Sequence, residues 1–367
     1  MPTISIDLQC PLYDSFRVRQ VAGLFDVPLA EKSRQQFRVE VPELDEPWKI
    51  GLIIGPSGSG KTSLAQAWLG PRLRPRPHWP ADRSVIDSFG DMPIKRLAGL
   101  LTAVGFSSPP SWIKPFQVLS TGEQFRCDLA RMAADSIQDR ASPSENAPWV
   151  CDEFTSSLDR RAARLGSAAV AKAIRGGLLP PRLVAVTCHR DVARWLRPDW
   201  VIDMAAGTLT RRRLRRPTIA LHIQRCRRTL WSRFAPHHYL SGALSGPARC
   251  FAALWRGQPV AFCATLPLIG RRRHWRITRL VVLPDCQGLG IGMKLAKAVA
   301  ELHQAEGLRF NLTASHPAVL AHCQRAAWWR LTRVMRHGSR RCGAKIHGYR
   351  GSTGRAVASF EFVGGEE

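Results

Sequence analysis

Acidic residues are scarce in this chain, and scarcest in its second half. Residues 216–367 hold 6 Asp+Glu against 24 Lys+Arg, a net charge of +18, whereas residues 1–215 hold 22 against 30, a net of +8. An Arg-rich coding background accounts for Arg in place of Lys, but not for acids missing from one half only. A field of this sign draws in polyanions, of which nucleic acid is the common one. Long apolar runs are also missing. Every hydrophobic run is broken by Arg, Pro or Gly, which argues against a membrane-crossing helix. The N-terminal MPTISIDLQC has neither the basic region nor the apolar core of a signal peptide, so the expected location is cytoplasmic. The ten cysteines form no CxxC pair, which argues for reduced, buried thiols over a disulfide frame. Cys342 and His347, with His322 and Cys323, lack any standard zinc spacing. Tyrosine is rare as well: only Tyr13, Tyr239 and Tyr349 occur.

What is there suits two folded domains in 367 residues, 45% hydrophobic and 22% charged. The fold class expected is α/β in both halves. Trp48–Ile54 reads as a buried strand, followed by a Gly-rich loop and a helix from Lys61. Pro71–Pro80 and Ala141–Pro148 read as loops. Leu183–Thr187 is a further buried strand, and Val201–Met204 a strand ending in a turn at Gly207. Basic residues between Thr210 and Pro217 mark a linker at 210–217, between a domain over 1–215 and another over 218–367. There, Ile219–Ile223 reads as a strand, and Cys250–Trp255 with Pro259–Leu266 as a hairpin around Arg256–Gly257. Trp275–Leu283 is a long strand, Met293–Glu306 a helix, Arg309–Ala314 a strand, Ala318–Trp328 a helix and Val357–Val363 a final strand.

Gly55, Pro56, Ser57, Gly58, Ser59, Gly60, Lys61 and Thr62 form a phosphate-binding loop behind a buried strand. Such a loop aims backbone N–H groups and a helix dipole at phosphate. Lys61 reaches the outer phosphates of ATP, and Thr62 and Asp152 are placed to hold Mg²⁺. Glu153 is placed to orient or deprotonate water, and His189, also at a strand end, to sense the γ-phosphate. Together with Leu119–Glu123 (LSTGE) and Asp152–Asp159 (DEFTSSLD), the loop resembles the ABC-type ATPases over roughly residues 1–215. Phe154 stands where Pro is usual, and Thr121 where the first Gly of the signature is usual. Ser120 follows Lys61 by 59 positions, which leaves little room for a transporter-coupling subdomain. Asp87 or Asp91 lies near the place of the usual Q-loop glutamine, and the adenine-stacking aromatic has no assigned residue. The resemblance implies a homodimer that sandwiches ATP, with Ser120 and Gly122 acting on the phosphate loop of the other copy.

The second half carries Gln287, Gly288, Leu289, Gly290, Ile291 and Gly292 after the strand residues Val281, Val282 and Leu283. The glycines fall as GxGxG with no acid placed for a ribose, so this is not a dinucleotide fingerprint. The pattern resembles the acetyl-CoA motif of the GNAT acetyltransferases over roughly 218–367. The resemblance implies that the strand holds the acyl arm and the loop holds the pyrophosphate. A splay against Arg309–Ala314 would then form the acceptor cleft. Transfer to an amine also needs a proton for the leaving thiolate. Tyr239 and Tyr349 are the candidates for that proton, and His316, after the strand at the splay, is a candidate base or proton relay. Phe234–Leu240 (FAPHHYL) is similar to a stretch of ABC ATPase–acetyltransferase fusions. Their second domain is similar to Mom, a phage enzyme that alters an adenine amine.

The function expected is an ATP-gated acyltransferase acting on an amine of a DNA or RNA base. Arg271–Arg273 and the linker arginines would hold phosphates, and Trp255, Trp328 or Trp329 would stack on a base. Two alternatives stay open: N-acetylation of a protein or small molecule, and an ATP-switched nucleic-acid-binding regulator with a non-catalytic GNAT fold.

Overall fold

The computed structural model describes residues 2–9, 15–26, 34–73, 76–138, 148–211, 218–238, 243–337 and 355–364. In chain order the elements are β1 (Thr3–Gln9), α1 (Phe16–Phe25), β2 (Arg34–Glu40), β3 (Ile50–Ile54), α2 (Lys61–Leu69), α3 (Ile94–Ala103), α4 (Pro109–Trp112) and α5 (Thr121–Gln138). Next come β4 (Trp149–Cys151), α6 (Arg160–Arg175), β5 (Leu183–Thr187), α7 (Ala193–Leu196), β6 (Trp200–Asp203) and β7 (Thr208–Thr210). The remainder is β8 (His222–Arg225), α8 (Trp231–Phe234), β9 (Arg249–Trp255), β10 (Gln258–Pro267), β11 (His274–Val282), α9 (Ile291–Ala305), β12 (Arg309–Ala314), α10 (Pro317–Arg325), β13 (Trp329–His337) and β14 (Arg355–Phe362).

The chain divides into two compact units. The first is Met1–Arg76, Asp135–Ser157 and Pro180–Arg216; the second is Pro77–Ala134, Leu158–Leu179 and Pro217–Glu367. One cut of this division falls between Arg216 and Pro217, within the linker expected at 210–217, but two segments of the expected 1–215 domain, Pro77–Ala134 and Leu158–Leu179, cluster with the C-terminal part. The linker residues 212–217 and the loop residues 141–147 lie outside the described residues.

In the first unit the sheet order is β4-β5-β3-β6-β7. β3 pairs in parallel with both β5 and β6. Its five residues, Ile-Gly-Leu-Ile-Ile, are all buried, as are the five of β5. Strands covered on both faces need such continuous apolar runs. The core gathers Ile53, Leu64, Val150, Val184, Trp200 and Ile202. β1 and β2 form a separate antiparallel pair. The helix α1 lies between β1 and β2 in the chain; Ser15 caps it, its hydroxyl accepting from the Val18 N–H.

In the second unit a seven-stranded sheet runs β13-β14-β12-β11-β10-β9-β8. The hairpin of β9 and β10 turns at Arg256 and Gly257, both with positive φ (51° and 74°), the geometry that matches the twist of two strands. β11 and β12 pair in parallel only from His274 opposite Arg309 to Arg276 opposite Asn311. Beyond that point β11 continues to Val282 and β12 to Ala314 without pairing to each other. The two strands therefore splay. Opposite β10, the register jumps from Arg279–Ala264 to Ile277–Thr265, leaving Thr278 as an extra bulged residue beside the splay. The expected helix over Ala318–Trp328 stops at Arg325, because Trp329 begins β13 and is buried there against β14. The expected strand over Ile219–Ile223 is shifted toward the C-terminus, to His222–Arg225.

His303 lies in this core, 1% exposed, among the rings of Phe251, Trp275 and Phe310. Its Nδ1 lies 2.7 Å from the Val299 carbonyl and its Nε2 3.2 Å from the Thr265 hydroxyl. The carbonyl can only accept, so Nδ1 carries the proton and the neutral ring is satisfied on both sides. Burial pushes its pKa below the ordinary histidine value. The unfolded ring protonates below pH about 6.5 while the folded one resists, so the unfolded state binds more protons and stability falls with acid. Urea unfolding between pH 7 and 5 should show this loss, at most about 1.4 kcal/mol per pH unit from this one residue. His303→Leu should flatten the slope; an unchanged slope would remove His303 as its source.

Candidate functional site

The phosphate loop is built entirely within the first unit. β3 ends at Ile54, and α2 starts at Lys61 behind Gly60, which adopts φ 79° and offers no side-chain cap. The first N–H groups of α2 are thus left for an anion. Gly60 also lies under Phe37 of β2: a β-carbon there would come within 3.1 Å of the ring. The Lys61 ammonium donates to the Pro56 carbonyl at 2.7 Å, which holds it over the loop. Thr62 Oγ1 donates to Asp152 Oδ2 at 2.9 Å. Since β5 separates β3 from β4 in the sheet, this bond links the ends of two non-adjacent strands. Two oxygens converging from a hydroxyl and a carboxylate are hard donors of the kind Mg²⁺ takes beside phosphate. They fit the expected ion, and Gly55–Thr62 fits ATP phosphates.

The turn after β4 explains one departure noted in the sequence. The Phe154 N–H donates to the Val186 carbonyl at 2.8 Å, and its side chain is fully buried. A proline there would lack that donor. Glu153 precedes it with φ 54°, its N–H bonded to Asp152 Oδ1 at 2.9 Å, and its side chain is exposed. Thr155, at φ 63° and fully buried, is a β-branched residue in the left-handed region, a strained state that clusters at functional turns. His189 follows β5, half-buried, its N–H bonded to the Thr187 hydroxyl. Lys61, Thr62, Asp152, Glu153 and His189 therefore share one unit, Lys61 and Thr62 at the start of α2 and the other three in the turns that follow β4 and β5.

Ser120 and Gly122 belong to the second unit. Ser120 and Glu123 form a reciprocal cap of α5: the Ser120 N–H donates to Glu123 Oε2 at 3.1 Å and the Glu123 N–H to Ser120 Oγ at 3.4 Å.

The acyl-CoA motif lies at the splay. Leu283 donates its N–H to the Val260 carbonyl, which ties the end of β11 to β10. Val281 is buried and Val282 half-buried. Gln287 braces the loop through its side chain, donating to the Val282 carbonyl at 3.1 Å and accepting the Ser107 N–H at 2.7 Å. Gly290 caps α9 with φ 84° and no side-chain cap, so the N–H groups of Ile291 and Gly292 begin a helix with an open N-terminus. A β-carbon on Gly292 would come within 3.0 Å of Val282 Cγ2. Residues Gln287–Gly292 thus form a glycine-rich backbone loop before an open helix N-terminus, an arrangement that fits a pyrophosphate.

The proton-donor candidates fare differently. Tyr239 and Tyr349 lie outside the described residues. His316 follows β12 and N-caps α10, its Nδ1 accepting the Ala318 N–H at 3.3 Å. The ring proton then sits on Nε2, which is buried and meets no partner in good hydrogen-bonding geometry. Burial pushes this imidazole down, and the Ser107 main chain offsets part of that. His316 is thus a neutral ring whose Nε2 presents a donor rather than a base. The proposed stacking tryptophans are mostly engaged elsewhere. Trp255 and Trp329 are buried, and Trp328 is half-buried with the Lys297 ammonium 4.4 Å from its ring. Among the described residues, no cluster of three or more His, Cys, Asp or Glu is grouped to hold a metal. All eight described cysteines are free.

Residues 217–324 match the acetyltransferase (GNAT) family. They form a GNAT acetyltransferase domain. The splay of β11 and β12 and the cradle at α9 lie within the matched residues, and acetyl-CoA is the cofactor of this family. Among solved structures, an IAA acetyltransferase from Bacillus cereus is 17% identical, covering 39% of this chain and 99% of that chain at a TM-score of 0.29. An acetyltransferase from Bacillus subtilis in complex with CoA is 12% identical, covering 40% of this chain and 98% of that chain at a TM-score of 0.31. A bacterial ABC transporter cassette in dimeric form is 16% identical, covering 47% of this chain and 88% of that chain at a TM-score of 0.34. All three likenesses are weak. No curated protein matches the sequence. No described helix is long and apolar enough to cross a membrane.

Phe37, which the sequence did not single out, packs against the core of the first unit beside the phosphate loop. It sits on β2, half-buried, against the glycine that opens α2. Its signal was faint: one aromatic in the polar strand Arg34–Glu40.

Proposed function

We propose that this protein transfers an acetyl group from acetyl-CoA to an amine on a nucleic-acid base, and that ATP gates the transfer. The observation that carries the reading is the pairing, in one chain, of a GNAT domain with a phosphate loop whose Thr62 and Asp152 meet at 2.9 Å. Bound acetyl-CoA supplies a thioester, whose C–S bond breaks as the amine nitrogen forms a C–N bond. The N–H groups of Gln287–Gly292 hold the pyrophosphate, and the unpaired edge of β11 toward the splay orients the acyl arm. The amine loses one proton to water and the thiolate gains one; Tyr239 is the candidate donor, reprotonated from water, while His316 keeps its Nε2 proton and serves as a hydrogen-bond donor.

Bound ATP supplies a phosphoanhydride. Lys61 holds its outer phosphates, Thr62 and Asp152 hold Mg²⁺, Glu153 orients the attacking water, and His189 reads the γ-phosphate. Phe37 beside Gly60 is the aromatic for adenine. A homodimer, with Ser120 and Gly122 of each copy closing on the other's phosphate loop, is part of this reading. So is the tie to Mom-like chemistry through Phe234–Leu240. A base stacked in a duplex is hidden from a pocket, and an ATP-driven clamp offers a means to expose it. The charge of +18 on residues 216–367 and the exposed run Arg271–Arg273 favour nucleic acid over other acceptors.

The test is nucleoside mass spectrometry of DNA and RNA from cells making wild type, Glu153→Gln or Gly290→Trp. An acetylated nucleoside is expected in wild type and absent from both variants. If wild type yields none, the acceptor is not a base.

A further inference from the structure

We propose that Lys172 is a ligand for the pyrophosphate of CoA, so that a helix outside the matched GNAT residues completes the cofactor site. The proposal rests on the reading of Gln287–Gly292 as the CoA cradle. α6 runs along that loop within the second unit. A β-carbon on Gly288 would come within 2.9 Å of Ala169 Cβ, and one on Gly290 within 3.1 Å of Lys172 Nζ. Positions 169 and 172 are one helical turn apart and share a face. That face therefore follows the loop from Gly288 to Gly290 and brings an ammonium to the open N-terminus of α9.

Three further contacts lie around the loop within the same unit, one of them made by α6. Ser107 binds the Gln287 side chain at 2.7 Å. The Arg161 guanidinium lies 5.5 Å from the Trp255 ring. Arg126, 4% exposed, pairs with Asp285 at 3.1 Å. That last pair has a consequence for an anion. Asp285 is the only carboxylate in Pro284–Gly292, and Arg126 neutralises it where it would repel phosphate. The Lys172 charge also reaches beyond its own helix, since together with burial and Arg325 it pushes the His322 imidazole down. An open helix N-terminus, a neutralised acid and a lysine over the capping glycine are together a built anion site.

Lys172 is exposed, so its replacement spares the core. Calorimetry with CoA, dephospho-CoA and pantetheine separates the contributions. Lys172→Ala should weaken CoA and dephospho-CoA by about tenfold, the worth of one charge-assisted contact. Pantetheine, which has no pyrophosphate, should be unaffected. Lys172→Glu should weaken CoA further and Lys172→Arg should restore most of the affinity, with thermal unfolding unchanged in all. Equal CoA affinity in wild type and Lys172→Ala, or an equal loss for pantetheine and CoA, overturns the role of Lys172 and leaves the cradle standing. No CoA binding by wild type overturns both.

Discussion

Lys61→Ala should leave a folded protein that no longer hydrolyses ATP, with turnover at least about 10²-fold down, equivalent to about 2.7 kcal/mol of lost transition-state stabilisation. Folding should survive because Lys61 is the first residue of α2, where Ala is a better helix former, and its ammonium bonds only a loop carbonyl. Glu153→Gln separates binding from chemistry. Its carboxylate is exposed on a turn held by Asp152 and Val186, so the amide keeps the shape and removes the base. ATP binding should persist while hydrolysis falls by about 10²–10⁴. The dimer has its own reading in the same assay. Mixing Ser120→Arg chains with Lys61→Ala chains should restore partial activity, because one composite site per dimer stays intact. No recovery speaks against the sandwich. Hydrolysis unchanged in Lys61→Ala would remove the ATPase altogether.

Gly290→Trp should abolish CoA binding and leave ATP binding in place. Gly290 holds φ 84°, and a non-glycine residue in that region costs about 1–2 kcal/mol. Against a total domain stability of about 5–15 kcal/mol the fold survives. The cradle does not, because the indole fills the space where backbone N–H groups meet phosphate, beside Lys172. The affinity for CoA should fall at least about 100-fold, or 2.7 kcal/mol, by calorimetry. An unchanged affinity would show that Gln287–Gly292 is not where CoA binds.

Both experiments target residues that are legible in the sequence, and the reason is local. A phosphate loop is a strand end, a few glycines and a helix start, all within about ten residues, so its physics is written in one stretch of chain. The same holds for the loop before α9. Leu183–Thr187 and Arg309–Ala314 coincide with β5 and β12, because short apolar or alternating runs bounded by turns admit few other states. Elements decided by distant partners were read less well. β13 was hidden because Trp328 and Trp329 also fit a helix; pairing of Trp329 with Phe362 in β14 settles it as a strand. Phe37 carried no motif and gained meaning only from its place against Gly60. Candidate stackers Trp255 and Trp329 went the other way, since burial took them into the core.

The sequence by itself determined the two glycine loops, their order, and the imbalance of charge, because each is a property of neighbouring residues or of composition. Only the tertiary structure decided which helices keep company with which loop. The helices α5 and α6 adjoin the stretches Leu119–Glu123 and Asp152–Asp159 in the chain, yet they cluster for the most part with the C-terminal strands. Arg126 meets Asp285 and Lys172 meets Gly290 across more than a hundred residues of chain. Such contacts depend on packing over long sequence separations, where no local periodicity or motif records the partner.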